Sequence, residues 1–281
     1  MSEHRYQIVD VFCQGAFSGN PVAVVRAPSD LDDETMQRIT RWFNLSETAF
    51  LLPPTDARAD YRVRIFTLDR EMPFAGHPTL GTCHAWLHDS GQPMDAGVVI
   101  QECGAGLVRV RRSAEGLAFA APPLIRGGPV DEDTLEEIAA VLRITRGEIV
   151  DAQWADNGPG WAAVRLASAD AVRALSPARF HGRRMDIGVV GLYPPGAKFA
   201  YEVRALFSDP YGAIVEDPVT GSLNASLAGW LTGLGMVKAP YLAAQGGSIG
   251  RDGLVRIASD AAGALWIGGD TVTRGSGMLE I

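Results

Sequence analysis

The sequence predicts an α+β fold of two similar domains, each a barrel-like, mostly antiparallel sheet curled around one central helix. Alternating stretches supply the strands. In "YRVRIFTL" (residues 61–68), Tyr61, Val63 and Ile65 share one face and Arg62 and Arg64 the other, the pattern of a half-buried antiparallel strand. Two helical segments, residues 78 to about 88 and 222 to about 234, carry almost no charge on any face. A helix that is apolar or small all round is buried all round, which calls for a sheet wrapped about it. These segments also repeat each other: aligning "PFAGHPTLG" with "PVTGSLNAS" pairs Pro73 with Pro218 and Gly76 with Gly221, at positions 76 and 221.

The remaining elements follow in order. "SGNPVAVV" at Ser18 and "DNGPGWAAV" at Asp156 each put an Asn/Gly/Pro turn ahead of a strand. "SDLDDETMQRITRWF" has Asp30, Asp32, Asp33 and Glu34 at its start, which suits the helix dipole, and Met36, Ile39, Trp42 and Phe43 at helical spacing. "VVIQECGAGLVRVRR" reads as a hairpin turning at residues 104–106. "DEDTLEEIAAVLRIT" is a second amphipathic helix, with Leu135, Ile138, Val141 and Leu142 inward. "AKFAYEVRALF" predicts another alternating strand, with Phe199, Tyr201, Val203 and Phe207 on its inner face. The two domains are expected at residues 1–123 and 124–281, joined near "APPLIRGGPVDED", with the last C-terminal strand free to return to the first domain.

The 281 residues can bury a sizeable core without staples. A net charge of −8 with dispersed Lys and Arg argues against a nucleic-acid footprint, which needs a clustered basic surface. No apolar run approaches the roughly 18 residues of a membrane span, and "MSEHRYQIVDVF" lacks a secretory pattern. Cys13, Cys83 and Cys103 read as free thiols of a cytoplasmic protein.

Three residues could carry chemistry. His77 lies between Gly76 and Pro78, where proline favours a helix start, so it is expected as the N-cap of the first buried helix. The amides of Thr79 and Leu80 would then face a carboxylate or other anion, with a neutral imidazole beside them. Asp217 opens "DPVTGS" ahead of the second buried helix, where an Asx-turn is the plainer reading. Glu47, before the apolar "TAFLL", would have its pKa raised toward neutrality by burial, as a proton shuttle requires; a capping role is the plainer alternative.

Other signals carry less. "GGSIG" around Ser248 matches a nucleophile elbow but is followed by "RDGLVRIAS", not a helix. His84 and His88 sit four apart but lack the glutamate of a zinc-binding H-E-x-x-H, so no metal is expected. No phosphate-cradling glycine loop supports a nucleotide cofactor.

"DVFCQGAFSGNPVAVV", "NLSETAFL", "PFAGHPTLGT" and "EDPVTGSLNASL", in that order and followed by "QGGSIGR", resemble the PhzF family of phenazine-biosynthesis-like isomerases over nearly the whole chain. The resemblance implies a diaminopimelate epimerase-like fold, an active site in the cleft between the domains, no cofactor, and a homodimer. In the family's characterised isomerase the glutamate of "SET" shuttles a proton between two carbons of trans-2,3-dihydro-3-hydroxyanthranilate. By motif that residue is Glu47. His77 and Asp217 match the family's other catalytic positions. Gly76, Gly221 and Ser222 match positions that contact substrate, with Asn20 of "GNP" a weaker match. "FSDPYGAIVEDP" departs from the commoner loop and leaves the substrate open. The expected function is a cofactor-independent isomerase of a small carboxylate-bearing metabolite. The alternatives are a non-catalytic small-acid-binding protein on the same fold, or a two-thiol epimerase or racemase, which would need a cysteine at each helix start.

Overall fold

The structure is a computed structural model describing residues 3–281. In chain order its first half runs β1 (Glu3–Cys13), β2 (Asn20–Arg26), α1 (Asp33–Phe43), β3 (Glu47–Leu52), β4 (Tyr61–Thr67), β5 (Glu71–Met72), α2 (Gly76–His88), β6 (Val98–Cys103), β7 (Gly106–Ser113) and β8 (Gly116–Ala120). The second half adds α3 (Glu132–Leu142), β9 (Asp151–Trp154), β10 (Ala162–Arg165), α4 (Ala169–Ala174), β11 (Asp186–Leu192), β12 (Tyr201–Ser208), β13 (Ile214–Asp217), α5 (Gly221–Gly233), β14 (Tyr241–Gln245), β15 (Gly253–Ser259) and β16 (Leu265–Glu280). Among the described residues no helix is long and apolar enough to cross a membrane.

The chain forms two compact units, residues up to Ala120 with Gly268–Ile281, and Ala121–Ile267. Their internal plans repeat. From β1 to α2 and from β9 to α5 the order is two strands, a helix, two strands, a short strand and a central helix. The pairing repeats too. β2 with β3 and β10 with β11 are parallel, β3 with β4 and β11 with β12 antiparallel, β4 with β6 and β12 with β14 parallel. α2 and α5 are both 13 residues long and begin at the two glycines that the sequence alignment pairs.

In the first unit the strands follow the order β1-β2-β3-β4-β6-β7-β8-β16, and β16 pairs back onto β1, which closes an eight-strand barrel. α2 runs inside it, touching β1, β2, β3, β4, β6 and β8. Its residues from Gly76 to Cys83 are all buried. Gly81 permits the close approach: a Cβ there would collide with Val22 of β2 and crowd Val11 of β1. α1 packs outside on β3 and β4, where Met36 joins Val25, Phe50 and Phe66 in one apolar cluster. Asp32 caps α1 by accepting from the Thr35 amide at 2.7 Å.

In the second unit the strands follow β15-β14-β12-β11-β10-β9. α5 is buried along its length apart from Gly229 and its last turn. Leu223 lies where a Cβ on Gly188 of β11 would be, and Val219 lies over Gly253 of β15. α3 and α4 form an outer layer over the sheet, with Leu135, Ile138, Val141, Leu142 and Val172 in its cluster. That layer changes the expected pattern of β12. The strand begins at Tyr201, after Phe199, and Glu202 and Arg204 are buried on its outer face. There Glu202 accepts from the Tyr193 hydroxyl at 2.7 Å, and Arg204 pairs with Glu216 at 2.6 Å.

Candidate active site

The first unit brings three of the expected residues together. Asn20 and Glu47 open β2 and β3, neighbouring parallel strands in register at Ala23 and Thr48. Both therefore lie at the barrel end where α2 starts. Asn20 Nδ2 is 3.3 Å from His77 Nδ1, and His77 Nε2 is 3.4 Å from Glu47 Oε2. The His77 side chain is 3% exposed and that of Glu47 17%.

Burial decides the charge of this cluster. Desolvation lowers the His77 pKa from 6.5 to about 3, against a backbone hydrogen bond with Pro21 that acts the other way. The contact with Glu47 is therefore between a carboxyl group and a neutral imidazole, not an ion pair.

The start of α2 differs from the sequence expectation. Ala75 is the N-cap, Gly76 and His77 are the first two helical residues, and Pro78 is the third. The Thr79 amide donates to Ala75 O at 3.2 Å, so it is not exposed to a ligand, and Leu80 lies further inside the helical ladder. The amides without intrahelical acceptors are those of Gly76 and His77. Proline is tolerated here because its missing N–H falls within the first turn, where no intrahelical bond is lost.

The second unit builds a corresponding helix start. Asp217 ends β13, and its Oδ2 accepts from the Thr220 hydroxyl at 2.5 Å. Thr220 Oγ1 accepts in turn from Gln245 Nε2 at 2.9 Å, and Gln245 Oε1 accepts from the Thr220 amide and from Asn224 Nδ2. This network fixes the Asp217 loop from below. Thr220 is the N-cap, followed by Gly221 and Ser222, and the first helical bond is Asn224 N–H to Thr220 O. Ser222 occupies the same helical position as His77. Its Oγ accepts from Trp161 Nε1 at 3.1 Å and its carbonyl from Asn157 Nδ2 at 2.8 Å.

Asn157, Trp161, Asn224 and Gln245 were not singled out by sequence reasoning. The signal for Asn157 was present in the repeated Asn/Gly/Pro turn: Asn20 reaches residue 77 and Asn157 reaches residue 222. For Gln245 the cause is the parallel pairing of β14 with β12, which no local motif announces.

The discounted motifs have other employment. Both ring nitrogens of His84 lie within 3.0 Å of threonine hydroxyls, those of Thr271 and Thr273. Ser248 sits in a short 3-10 turn, Gly247–Ile249, between two strands. Cys83 is buried within α2, and desolvation pushes its thiol up to about 12, the reverse of an activated thiolate. The helix-start positions hold His77 and Ser222, so two-thiol chemistry has no thiols there.

Taken residue by residue, the first unit offers a carboxyl group beside a neutral imidazole at a helix start with bare amides. The second offers a carboxylate and a fixed hydroxyl. Such groups can bind an acid and move a proton.

A family model described as phenazine biosynthesis-like protein matches residues 9–277. A trans-2,3-dihydro-3-hydroxyanthranilate isomerase of Pseudomonas fluorescens is 33% identical over 295 residues, covering 99% of this chain and 100% of its own. A Schizosaccharomyces pombe protein named antisense-enhancing sequence 1 is 32% identical over 302 residues, with both chains covered in full. The crystal structure of a PhzF-family phenazine biosynthesis protein from Enterococcus faecalis shares the fold, with a TM-score of 0.78, 24% identity and full coverage of both chains. The chain belongs to the PhzC-PhzF family of phenazine biosynthesis-like proteins.

Proposed function

We propose that this protein is a cofactor-independent isomerase of a small, unsaturated, carboxylate-bearing metabolite, of the chemical class of trans-2,3-dihydro-3-hydroxyanthranilate. The observation that carries the reading is the contact of Glu47 Oε2 with the neutral His77 ring at 3.4 Å. In this reading Glu47, as carboxylate, takes a proton from one carbon and returns it to another along the conjugated system. His77, uncharged, orients the carboxyl group and the substrate without neutralising the base. Asn20 holds the imidazole, and Gly76 lets the substrate approach the helix amides. Asp217, Gly221 and Ser222, at the helix start of the second unit, are assigned to binding polar groups of a small acid. General acid–base catalysis of this kind supplies about 10²- to 10⁴-fold in rate, and positioning supplies the rest. The working form in this reading is a cytoplasmic homodimer.

The reading is tested by incubating the protein in D2O with trans-2,3-dihydro-3-hydroxyanthranilate and a panel of small unsaturated acids, read by mass spectrometry. Isomerised product, with deuterium at the accepting carbon where the shuttle exchanges with solvent, supports it. Tight binding of small acids with no turnover of any compound would point instead to a binding protein on the same fold.

A further inference from the structure

Gln245 grips the turn that presents Asp217, and the bonds in that grip have a fixed sense. Its Oε1 accepts from the Thr220 amide at 3.1 Å and from Asn224 Nδ2 at 2.8 Å. Its Nε2 donates to the Asp217 carbonyl at 3.1 Å and to Thr220 Oγ1 at 2.9 Å. A backbone N–H can only donate and a carbonyl can only accept, so the carboxamide has one orientation. Thr220 Oγ1 therefore accepts from Gln245, and its one hydrogen goes to Asp217 Oδ2 at 2.5 Å. Gln245 is 1% exposed and Thr220 7%, so these bonds are shielded from water. Gly246, at φ +85°, lets the chain after Gln245 pass the Pro218 carbonyl, from which a Cβ would lie 2.4 Å away.

A threonine at an N-cap ordinarily spends its oxygen on the second or third helical amide. Thr220 is the N-cap of α5, yet its side chain makes no capping bond and is turned back onto a carboxylate. The first unit is built differently. Its buried strand glutamine, Gln101, donates to Thr79 Oγ1 inside α2 and accepts from the Tyr61 hydroxyl, and its N-cap, Ala75, makes no side-chain bond. The clamp belongs to the unit that carries Asp217.

Resting on the isomerase reading above, we propose that Thr220 and Gln245 are positioning residues for Asp217: Gln245 directs the Thr220 hydroxyl onto one carboxylate oxygen and so holds Asp217 in the single orientation that turnover requires. A hydroxyl that already accepts from an amide is a stronger donor, and its bond to a carboxylate is charge-assisted.

The test is turnover of trans-2,3-dihydro-3-hydroxyanthranilate, followed by proton NMR, in wild type, Thr220→Val, Thr220→Ser and Gln245→Glu, with a thermal melt of each. Valine keeps the shape of threonine and removes only the hydroxyl. In Thr220→Val, kcat/KM is expected to fall about 10- to 100-fold, with a melt close to wild type because no capping bond is lost. Thr220→Ser restores the hydroxyl and is expected to keep most of the wild-type rate. Gln245→Glu keeps an acceptor for Thr220 and Asn224 but removes the donor. It draws the Thr220 hydrogen away from Asp217, so its rate falls at least as far as that of Thr220→Val. A merely structural role would lower the melts without this dependence on the hydroxyl. Wild-type turnover in Thr220→Val, or an equal loss in Thr220→Ser, overturns the positioning role and leaves the isomerase reading standing. Failure of the wild type to turn over this compound or any of the small unsaturated acids overturns both.

Discussion

His77 shows how one residue's surroundings set its chemistry. A histidine at a helix start is ordinarily a solvent-facing group near 6.5, but here burial holds it near 3. The linkage sign follows. Between pH 6.5 and about 3 the unfolded chain binds a proton that the folded chain refuses, so the folded state loses stability as pH falls through that window. One such group contributes a slope of at most about 1.4 kcal/mol per pH unit. Urea unfolding of wild type and His77→Gln between pH 4 and 7 checks this: the difference in slope belongs to His77. Three separate motifs made Asn20, Glu47 and His77 legible in the sequence as candidates, because each lies in a short stretch with its own local pattern. Trp161 and Gln245 were not legible. Each is a lone polar group in or beside a strand, and only strand pairing brings it to α5.

At the scale of elements, the two central helices were visible from their lack of charge, whereas the start of α2 was displaced. Proline at residue 78 suggested the first helical position, but two residues precede it in the helix, since any position of the first turn can spare an N–H. The tight packing of α2 makes a further prediction. Alanine at Gly81 gains about 1 kcal/mol of helix propensity, but its Cβ meets Val22 and Val11, and overpacking costs about 1–3 kcal/mol. Gly81→Ala is therefore expected to lower stability by up to about 2 kcal/mol in denaturant melts.

A second duplicated device clamps the hairpin before each central helix. Arg64 of β4 pairs with Glu71 of β5, and Arg204 of β12 with Glu216 of β13, each at 2.6 Å. Glu71 is 40% exposed, but Glu216 only 8%. Breaking the buried pair leaves a carboxylate with no water to take it. Arg204→Met is expected to cost about 3–5 kcal/mol, and Arg64→Met about 1 kcal/mol or less because its partners are solvated. Thermal unfolding of both variants tests the contrast. The alternation of β12 gave no warning of this buried pair, because the burial comes from the outer helical layer.

For the whole molecule, the internal repeat was the most informative feature of the sequence. Residue identity preserves it only at a few positions, yet element order, strand pairing and the helix-start position shared by His77 and Ser222 all follow it. The return of Gly268–Ile281 to the first unit has a physical consequence. Without that stretch β1 loses the strand that closes the barrel around α2. Deleting residues 268–281 is expected to abolish hydrogen-exchange protection of the α2 amides, and retained protection would contradict the barrel closure described here.

The central claim is that Glu47, beside an uncharged His77, moves the proton. The most direct measurement is turnover of trans-2,3-dihydro-3-hydroxyanthranilate by wild type and Glu47→Gln, followed by proton NMR, with anthranilate binding measured alongside. The account predicts conversion by wild type, and a rate about 10²- to 10⁴-fold lower in Glu47→Gln with binding of the probe retained. Conversion at the wild-type rate by Glu47→Gln would contradict it.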